Sequence, residues 1–244
     1  MSRTPRFAIR QRPDDAGVAL IEGSEFHHLH DVARLRAGNK VALIGADGVE
    51  YLGTIERYDR DHAIVRVSKS VAPAAHVSVI LAQAIVKGPR MDFLVEKAAE
   101  LGATELWPIL CARGVARAPG TERLERWRRI ALSAAKQSLA PAAMILRDPM
   151  PFADLIRGVA RDTLAVILTI GAQPIAGLFK KSRPSAILIA CGPEGDFDSN
   201  ELAMAADAGF HRAGLGMNRL RSETAAMAAL AIVCGALDET TQER

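Results

Sequence analysis

Two glycine-containing segments near the C-terminus constrain the fold of this chain more than any other feature. Residues 191–197 (Cys-Gly-Pro-Glu-Gly-Asp-Phe) follow the continuous apolar run 185–191, and residues 215–225 (Leu-Gly-Met-Asn-Arg-Leu-Arg-Ser-Glu-Thr-Ala) end a short apolar segment. A continuous apolar run of this length is typical of a strand that is buried on both faces of an α/β sheet. Each segment leads into a helical pattern. We therefore expect both loops to meet at one edge of a sheet and to form a ligand pocket.

The first segment has the composition of a loop that a ligand can approach closely. Gly192 and Gly195 carry no Cβ atom, so the backbone there can adopt unusual dihedral angles and lie against a ligand. Asp198 or Ser199 is expected to cap the helix that follows, with Glu201 reaching back to the free amides. A Gly-Pro-x-Gly string alone is more often an ordinary structural turn. The second segment shifts the balance toward a pocket.

The second segment ends at a long helical pattern. Residues 223–237 are apolar nearly all round, which predicts a buried helix, and Ser222 stands where an N-cap is expected. The loop before this helix contains an arginine pair, Arg219 and Arg221.

Together the two segments resemble the paired motifs of the SPOUT superfamily of S-adenosylmethionine-dependent RNA methyltransferases. More narrowly, they are similar to the RsmE-type family, which methylates N3 of a uridine in the 16S rRNA of the small ribosomal subunit. The motifs of that family read Gly-Pro-Glu-Gly-Gly-Phe and Leu-Gly-x-Arg-Ile-Leu-Arg-Thr-Glu-Thr-Ala. This chain keeps the following residues of the two motifs: Gly192, Pro193, Glu194, Gly195, Phe197, Leu215, Gly216, Leu220, Arg221, Glu223, Thr224 and Ala225.

The resemblance extends over about residues 3–238. Residues 87–92 (Lys-Gly-Pro-Arg-Met-Asp) and 96–103 resemble the family's central motif, and residues 28–38 resemble a pattern of its small N-terminal domain. The chain departs from the family motifs at these positions: Leu139, Ala140, Asp196, Asn218 and Arg219. These departures leave open an alternative function, a catalytically silent or retargeted SPOUT paralogue that acts as an RNA-binding or ribosome-assembly protein.

The hydrophobic pattern divides the chain into two regions with a break at residues 70–76. The patterns at 40–44, 50–56 and 62–67 indicate short strands of a small β-domain. The patterns at 77–86, 163–170 and 185–191 alternate with helical patterns, which favours a parallel sheet. We therefore predict a domain over residues 1–72 and a second, α/β domain over 73–244. The resemblance implies a PUA-like β-barrel that binds RNA, followed by a SPOUT domain whose C-terminal segment forms a trefoil knot.

The resemblance also implies which residues carry the activity. The cofactor would be S-adenosyl-L-methionine, and the expected cofactor-binding residues are Leu168, Gly192, Pro193, Glu194, Gly195, Leu215, Gly216, Leu220 and Thr224. As catalytic residues we predict Arg221, which would stabilise the developing anion or a nearby phosphate, and Glu194 or Glu223, which would orient it or assist proton removal. The alternative is that these three charged residues form structural ion pairs. The family further implies a homodimer.

Positive charge is concentrated in the middle of the chain. Residues 87–147 contain eleven Lys or Arg against six Asp or Glu, a net charge of +5 in a chain whose formal net charge is +3. A basic stripe of this kind is typical of a surface that binds a phosphate backbone, although a solvated helix face gives the same pattern. The predicted RNA-contact residues are Arg34, Lys87, Arg90, Arg113 and Arg126.

Other function classes find little support. Three cysteines, far apart and without a Cys-x-x-Cys pair, suggest neither a disulfide framework nor a zinc site. The histidines at positions 27, 28 and 30 lack matching ligands, so a helix or turn surface is favoured over a metal site. The chain contains no nucleotide-binding P-loop, no complete dinucleotide motif and no Gly-x-Ser-x-Gly elbow. With no apolar run long enough for a membrane helix and no signal-peptide pattern, we expect a cytoplasmic protein.

Overall fold

A computed structural model of the chain describes residues 4–45, 49–71, 77–138, 140, 142–180 and 184–242. The chain forms two compact units, which comprise Met1–His76 with Ala131–Ile145, and Val77–Ile130 with Leu146–Arg244. The domain boundary predicted between residues 72 and 73 lies outside the described residues. Among the described helices, none is long and apolar enough to cross a membrane.

The first unit is built on a five-stranded sheet. Its strands are β1 (Arg6–Ile9), β2 (Val18–Glu22), β3 (Lys40–Gly45), β4 (Glu50–Tyr58) and β5 (His62–Val71). They lie in the order β1-β3-β4-β5-β2; β1 pairs with β3 in parallel, and the other neighbours are antiparallel. Residues of the edge strands β1 and β2 approach within 8 Å between Cα atoms, so the sheet curves towards a barrel. The three strands predicted by the pattern are confirmed.

Residues 131–145 also belong to this first unit. Ala135 and Ala143 pack against Ile44 at the end of β3. The ammonium group of Lys136 pairs with the carboxylate of Glu25. Apolar packing and one ion pair thus hold this segment to the small sheet.

The second unit is built on a mainly parallel sheet, as the pattern predicted. Its strands are β6 (Ser78–Ala84), β7 (Glu105–Leu110), β8 (Ile145–Leu146), β9 (Met150–Pro151), β10 (Thr163–Leu168), β11 (Ala186–Cys191) and β12 (His211–Ala213). The order is β12-β10-β11-β6-β7-β8, and β9 pairs with β7. The pairs β6–β7, β6–β11, β10–β11, β10–β12 and β7–β9 are all parallel. The trefoil knot that the resemblance implies stays a prediction.

Helices pack on both faces of this sheet. The helices of the chain are α1 (Gly23–His27), α2 (Pro89–Glu100), α3 (Thr121–Ser138), α4 (Phe152–Gly158), α5 (Ser199–Asp207) and α6 (Ser222–Gln242). Alternate side chains of β6 point to opposite faces. On one face, Ile80, Ala82 and Ala84 belong to an apolar cluster that includes residues of α4 and α5. On the other face, α6 packs against β6 and β11, and α2 packs against α6.

Helix α6 buries one face rather than its whole circumference. Ala226, Ala229, Leu230 and Val233 are buried at helical spacing, whereas Ile232 is 37% exposed. The apolar pattern predicted burial all round, which is wrong for a helix that lies on the outside of its unit.

A carboxylate fixes the start of α5. The side chain of Asp198 accepts a hydrogen bond from the Glu201 amide at 2.7 Å, and Glu201 Oε2 accepts one from the Asp198 amide at 2.9 Å. Glu201 Oε1 also accepts from the Ala112 amide at 2.8 Å, and the residue is only 4% exposed. The predicted capping box is therefore confirmed, with Asp198 as the cap. Glu201 additionally ties the loop after β7 to the start of α5.

Replacing Glu201 with Ala tests this tie. The amides of Ala112 and Asp198 lose their acceptor, so we expect the free energy of unfolding to fall by about 1–3 kcal/mol in urea titrations. Glu201→Gln keeps one oxygen and should lose less. As a matched control, Ser199→Ala, at an exposed position of the same helix, should change stability by less than about 0.5 kcal/mol. Equal losses for Glu201→Ala and Ser199→Ala would contradict this role.

Candidate functional site

The carboxyl ends of β10, β11 and β12 surround one pocket. The loops that follow these three parallel strands line it, so the two glycine segments meet as the sequence predicted. Strand β12 follows β11 in the chain but pairs with the far side of β10. Ligands of α/β folds bind at such reversals of strand order. The pocket lining combines apolar side chains with the backbone of three loops, which suits a small-molecule ligand.

Most of the predicted cofactor-binding residues line this pocket. Seven of them do so: Leu168, Gly192, Pro193, Glu194, Leu215, Gly216 and Leu220. Gly195 and Thr224 are not among the lining residues, nor are the predicted catalytic residues Arg221 and Glu223. Residues that sequence reasoning missed include Thr169, Ile170, Gly214, Asn218, Arg219 and Ser222. Their position directly after strands or inside the second motif is the signal that could have found them.

The first loop tolerates aspartate where the family motif has its second glycine. Asp196 adopts φ +63°, a left-handed conformation that Asp adopts more readily than most residues. Its own carboxylate accepts a hydrogen bond from the Phe197 amide at 2.8 Å, and its amide donates to the Pro193 carbonyl at 2.9 Å. Asp196 therefore meets the positive φ that the loop has at this position.

Arg219 and Asn218 are two further departures from the family motif. The guanidinium of Arg219 donates to the Glu194 carbonyl at 3.2 Å, so Arg219 links the two signature loops. Asn218 lines the pocket, and nothing in the structure explains its identity.

The second loop contains a glycine that no other residue can replace. A Cβ atom on Gly214 would lie 2.6 Å from the backbone oxygen of Ala172. This close approach allows the Gly214 amide to donate to the Gln173 carbonyl at 2.8 Å, while the Gly214 carbonyl accepts from the Ile175 amide at 3.0 Å. The wall of the pocket after β10 is thereby fixed to the wall after β12.

A buried hydroxyl joins the two signature segments. Ser222 Oγ donates to the Gly192 carbonyl at 2.5 Å and accepts from Nε2 of Gln83 at 2.8 Å. Gln83 lies on β6, is fully buried and also donates to the Ala84 carbonyl at 2.7 Å. The prediction that Ser222 is the N-cap of α6 is wrong. It is the first helical residue, and the Arg221 carbonyl before it accepts the hydrogen bond of the Ala225 amide at 2.8 Å.

Cys191 lies under the pocket as a neutral thiol. Its Sγ donates to the Ser222 carbonyl at 3.3 Å, and burial raises the pKa of the thiol to about 12. Because only the thiolate is a strong nucleophile, Cys191 is not suited to covalent catalysis at neutral pH.

Arg90, which was predicted to contact RNA, pairs with the two glutamates that were predicted to be catalytic. Arg90 pairs with Glu194 at 2.7 Å and with Glu223 at 3.6 Å. Glu223 is 7% exposed, and its second oxygen, Oε2, is buried without a hydrogen-bond partner in the described part of the chain. The geometry supports the ion-pair alternative for the buried Glu223, whereas Glu194 is paired but also lines the pocket. Arg221 is exposed, and its guanidinium makes no hydrogen bond or ion pair with any described residue.

The other residues predicted to contact RNA differ in whether their charged groups already have partners in the protein. Arg113 donates to the Gly195 carbonyl at 3.3 Å, and Arg126 pairs with Asp92 at 2.9 Å. Lys87 and Arg34 are exposed and have no side-chain partner among residues 4–45, 49–71 and the other described ranges. Several more cations of the basic stripe are paired with carboxylates: Lys97, Arg128, Lys136 and Arg147. Much of the stripe's positive charge is thus compensated.

Comparison with known proteins agrees with this geometry. A family model described as an RNA methyltransferase domain matches residues 73–234, and an RNA methyltransferase PUA domain matches residues 21–68. Ribosomal RNA small subunit methyltransferase E of Synechocystis sp. is 31% identical over 88% of this chain and 72% of its own length. The protein of the same name from Mycobacterium tuberculosis is 31% identical over 93% of this chain and 90% of its own.

Solved structures show the same fold. Ribosomal RNA small subunit methyltransferase E from Neisseria gonorrhoeae, crystallised with S-adenosyl methionine, superposes with a TM-score of 0.77. It is 26% identical, and the match covers 94% of this chain and 96% of that one. The matched domains, the relatives and the shared fold agree, and the chain belongs to the ribosomal RNA small subunit methyltransferase E family of RNA methyltransferases.

Proposed function

We propose that this chain transfers a methyl group from S-adenosyl-L-methionine to N3 of a specific uridine in the 16S rRNA of the small ribosomal subunit. The observation that carries the proposal is the pocket that both signature segments form at the carboxyl ends of β10, β11 and β12. Relatives at 31% identity bear the name of a small-subunit rRNA methyltransferase. The choice of N3 of uridine rests on the resemblance of the two motifs to the RsmE-type family.

The residues of the pocket fit S-adenosylmethionine. Leu168, Leu215 and Leu220 provide apolar walls, and the loops after the strands provide backbone polar groups. The hydroxyl of Thr169 is buried without a partner among the described residues, so it is available to a polar group of a ligand. When bound, the cofactor supplies a methyl group that its sulfonium has already activated.

The protein has to position the uracil and to accept the proton that leaves N3. Removing the proton from N3 leaves negative charge on the neighbouring carbonyl oxygens, which a cation stabilises. Arg221 follows the second pocket loop directly and has a free guanidinium, so we assign this task to it. Glu194 lines the pocket and is the better placed of the two glutamates to accept the proton. Glu223 then holds Arg90, which in turn orients Glu194.

The departures from the family motif do not favour a binding-only paralogue. Asp196 adopts the left-handed backbone that its loop has at this position, and Arg219 adds a contact between the loops. Neither residue closes the pocket, which remains lined by both segments. These observations support an active enzyme over the alternative of a catalytically silent RNA-binding or ribosome-assembly protein.

The proposal also covers the oligomeric state of the protein and its place in the cell. We place the protein in the cytoplasm, where ribosomal subunits are its substrate, and we expect a homodimer as the family resemblance implies. The exposed side chains of Phe93 on α2 and Ile232 on α6, 48% and 37% exposed, are apolar groups that a second copy would cover.

A methylation assay tests the proposal directly. We expect the purified protein, incubated with labelled S-adenosylmethionine and small ribosomal subunits lacking this modification, to produce labelled 3-methyluridine at one uridine, detected by nucleoside mass spectrometry. If no label appears although the cofactor binds, the target is another RNA or base. If neither occurs, the binding-only paralogue is favoured.

Replacing Arg221 with Ala tests its catalytic role. We expect kcat to fall by about 100-fold or more, as for the loss of one donor to a developing anion, with the Kd for S-adenosylmethionine unchanged. Arg161→Ala is the matched control, because Arg161 is an exposed arginine before β10, at the opposite edge of the sheet from the pocket. Full turnover by Arg221→Ala would refute the assignment.

Replacing Ser222 with Ala tests the link between the signature segments. The Gly192 carbonyl loses its donor and the Gln83 amide loses an acceptor, so S-adenosylmethionine should bind about 5- to 30-fold more weakly by calorimetry. Ser222→Thr keeps the hydroxyl and also matches the family motif, so it should bind nearly normally. Cofactor affinity unchanged in a folded Ser222→Ala variant would show that the hydroxyl does not set the pocket.

A further inference from the structure

The segment that follows β2 has an unusual backbone. Helix α1 continues into a π-helical turn over His28–Val32, in which the Ala33 amide donates to the His28 carbonyl at 2.8 Å. It is the one π-helical turn in the described part of the chain. Arg34 then adopts φ +51°, which is uncommon for a residue other than glycine. π-Helical turns are rare and occur frequently at functional sites, yet the methyl-transfer chemistry assigns no role to this one.

This turn presents a histidine ring on an aromatic cluster. The rings of His30 and Phe26 are stacked, with centroids 5.8 Å apart and planes 24° apart. Tyr58 meets His30 edge-on at 5.6 Å and 71°, and lies 6.1 Å from Phe26. Phe26 and Tyr58 are half-buried, whereas the His30 side chain is 57% exposed. The imidazole of His30 thus stacks on Phe26 and is still 57% exposed, and we call its solvent-exposed side the open face.

Hydrogen bonds fix the orientation of these rings. His30 Nδ1 lies 2.7 Å from Oδ1 of Asp31, which also pairs with His27. The hydrogen bond with His30, together with the charge of His27, lowers the pKa of Asp31. The Tyr58 hydroxyl donates to the Leu35 carbonyl at 2.7 Å. The open face of His30 is therefore held in one direction before any ligand arrives.

Two unpaired cations adjoin the cluster. Leu35, whose carbonyl binds Tyr58, is flanked in the chain by Arg34 and Arg36. Both arginines are exposed, and neither guanidinium has a hydrogen-bond or ion-pair partner within the described ranges. Proteins bind single-stranded RNA by combining rings on which bases stack with cations that contact the phosphates. The side chains around His30 supply both components.

We propose that an unpaired nucleobase of the RNA substrate stacks on the open face of His30, while Arg34 and Arg36 contact the neighbouring phosphates. The inference rests on the proposed function, since it takes RNA as the substrate. It goes beyond that function by placing a base-binding subsite on a ring of the first unit, where the sequence indicated an ordinary surface histidine.

Binding of a fluorescent single-stranded oligouridylate, measured by anisotropy at several salt concentrations, tests the proposal. His30→Ala should weaken binding by about five- to 100-fold, because it removes a stacking surface. It should leave the salt dependence of the affinity unchanged, because it removes no phosphate contact. Replacing Arg34 and Arg36 together with Ala should instead reduce the slope of log K against log salt by about 1.4.

Two matched variants separate stacking from other effects. His30→Phe keeps a ring on Phe26 and should bind nearly as well as the wild type. His27→Ala removes a neighbouring histidine that is 74% exposed and shares Asp31 but has no ring contact within the described part of the chain, so affinity should change by less than about twofold. Urea unfolding of each variant confirms that the fold persists.

The outcomes distinguish this inference from the proposed function. Three results would overturn the subsite even if the wild type methylates ribosomal subunits. They are an unchanged affinity of His30→Ala, an equal loss of affinity in His27→Ala, and weak binding by His30→Phe. Absence of oligouridylate binding by the wild type would overturn it as well. If His30→Ala binds weakly while the wild type transfers no methyl group, the subsite stands and the enzymatic proposal falls.

Discussion

The hydroxyl of Ser222 is the contact on which the geometry of the pocket depends. It connects the Gly192 carbonyl, just after β11, to the first turn of α6 and to the buried amide of Gln83 on β6. Gln83 and Ser222 are buried, so the loss of one hydrogen-bonding group leaves the polar atoms of the others unsatisfied. The hydrogen bond from Gln83 to Ser222 offsets part of the free-energy cost of burying the Gln83 amide. Ser222 in turn holds together two loops that are 30 residues apart in the chain.

Backbone conformation imposes the second constraint on the pocket. Gly214 approaches the Ala172 carbonyl too closely for any side chain, and Asp196 bends the first loop through a left-handed conformation. The chemistry of the two positions differs. At Gly214 the obstacle is a neighbouring backbone atom, so the identity of the residue is fixed. At Asp196 the requirement is a positive φ, which aspartate meets while its carboxylate binds the next amide. The first loop can therefore carry aspartate at a position where the family motif has glycine.

Sequence patterns predicted the strands and helix caps that depend on residues close together in the chain. The apolar runs predicted β10 and β11, and the Asp198–Glu201 spacing predicted the cap of α5, because strand burial and capping are set within a few residues. The strands β1 and β2, four and five residues long, were not predicted. Contacts between distant residues were also hidden. Nothing near Arg90 indicates that it pairs with Glu194 and Glu223, more than 100 residues later. The role of Ser222 was misjudged because capping is a local rule and its partner, Gly192, is remote.

The pairing of charges changes how affinity for RNA has to arise. A net charge of +5 over residues 87–147 suggests a broad electrostatic surface, but ion pairs engage Arg90, Arg126, Arg128 and Arg147. A cation that must leave a carboxylate before it contacts a phosphate contributes less than a free one, since the broken pair offsets part of the gain. Binding that relies on few free cations has a shallow salt dependence, and the remaining affinity must come from contacts that salt does not screen. Stacking on an oriented ring is a contact of that kind, and it acts on bases rather than on the phosphates that all RNA shares.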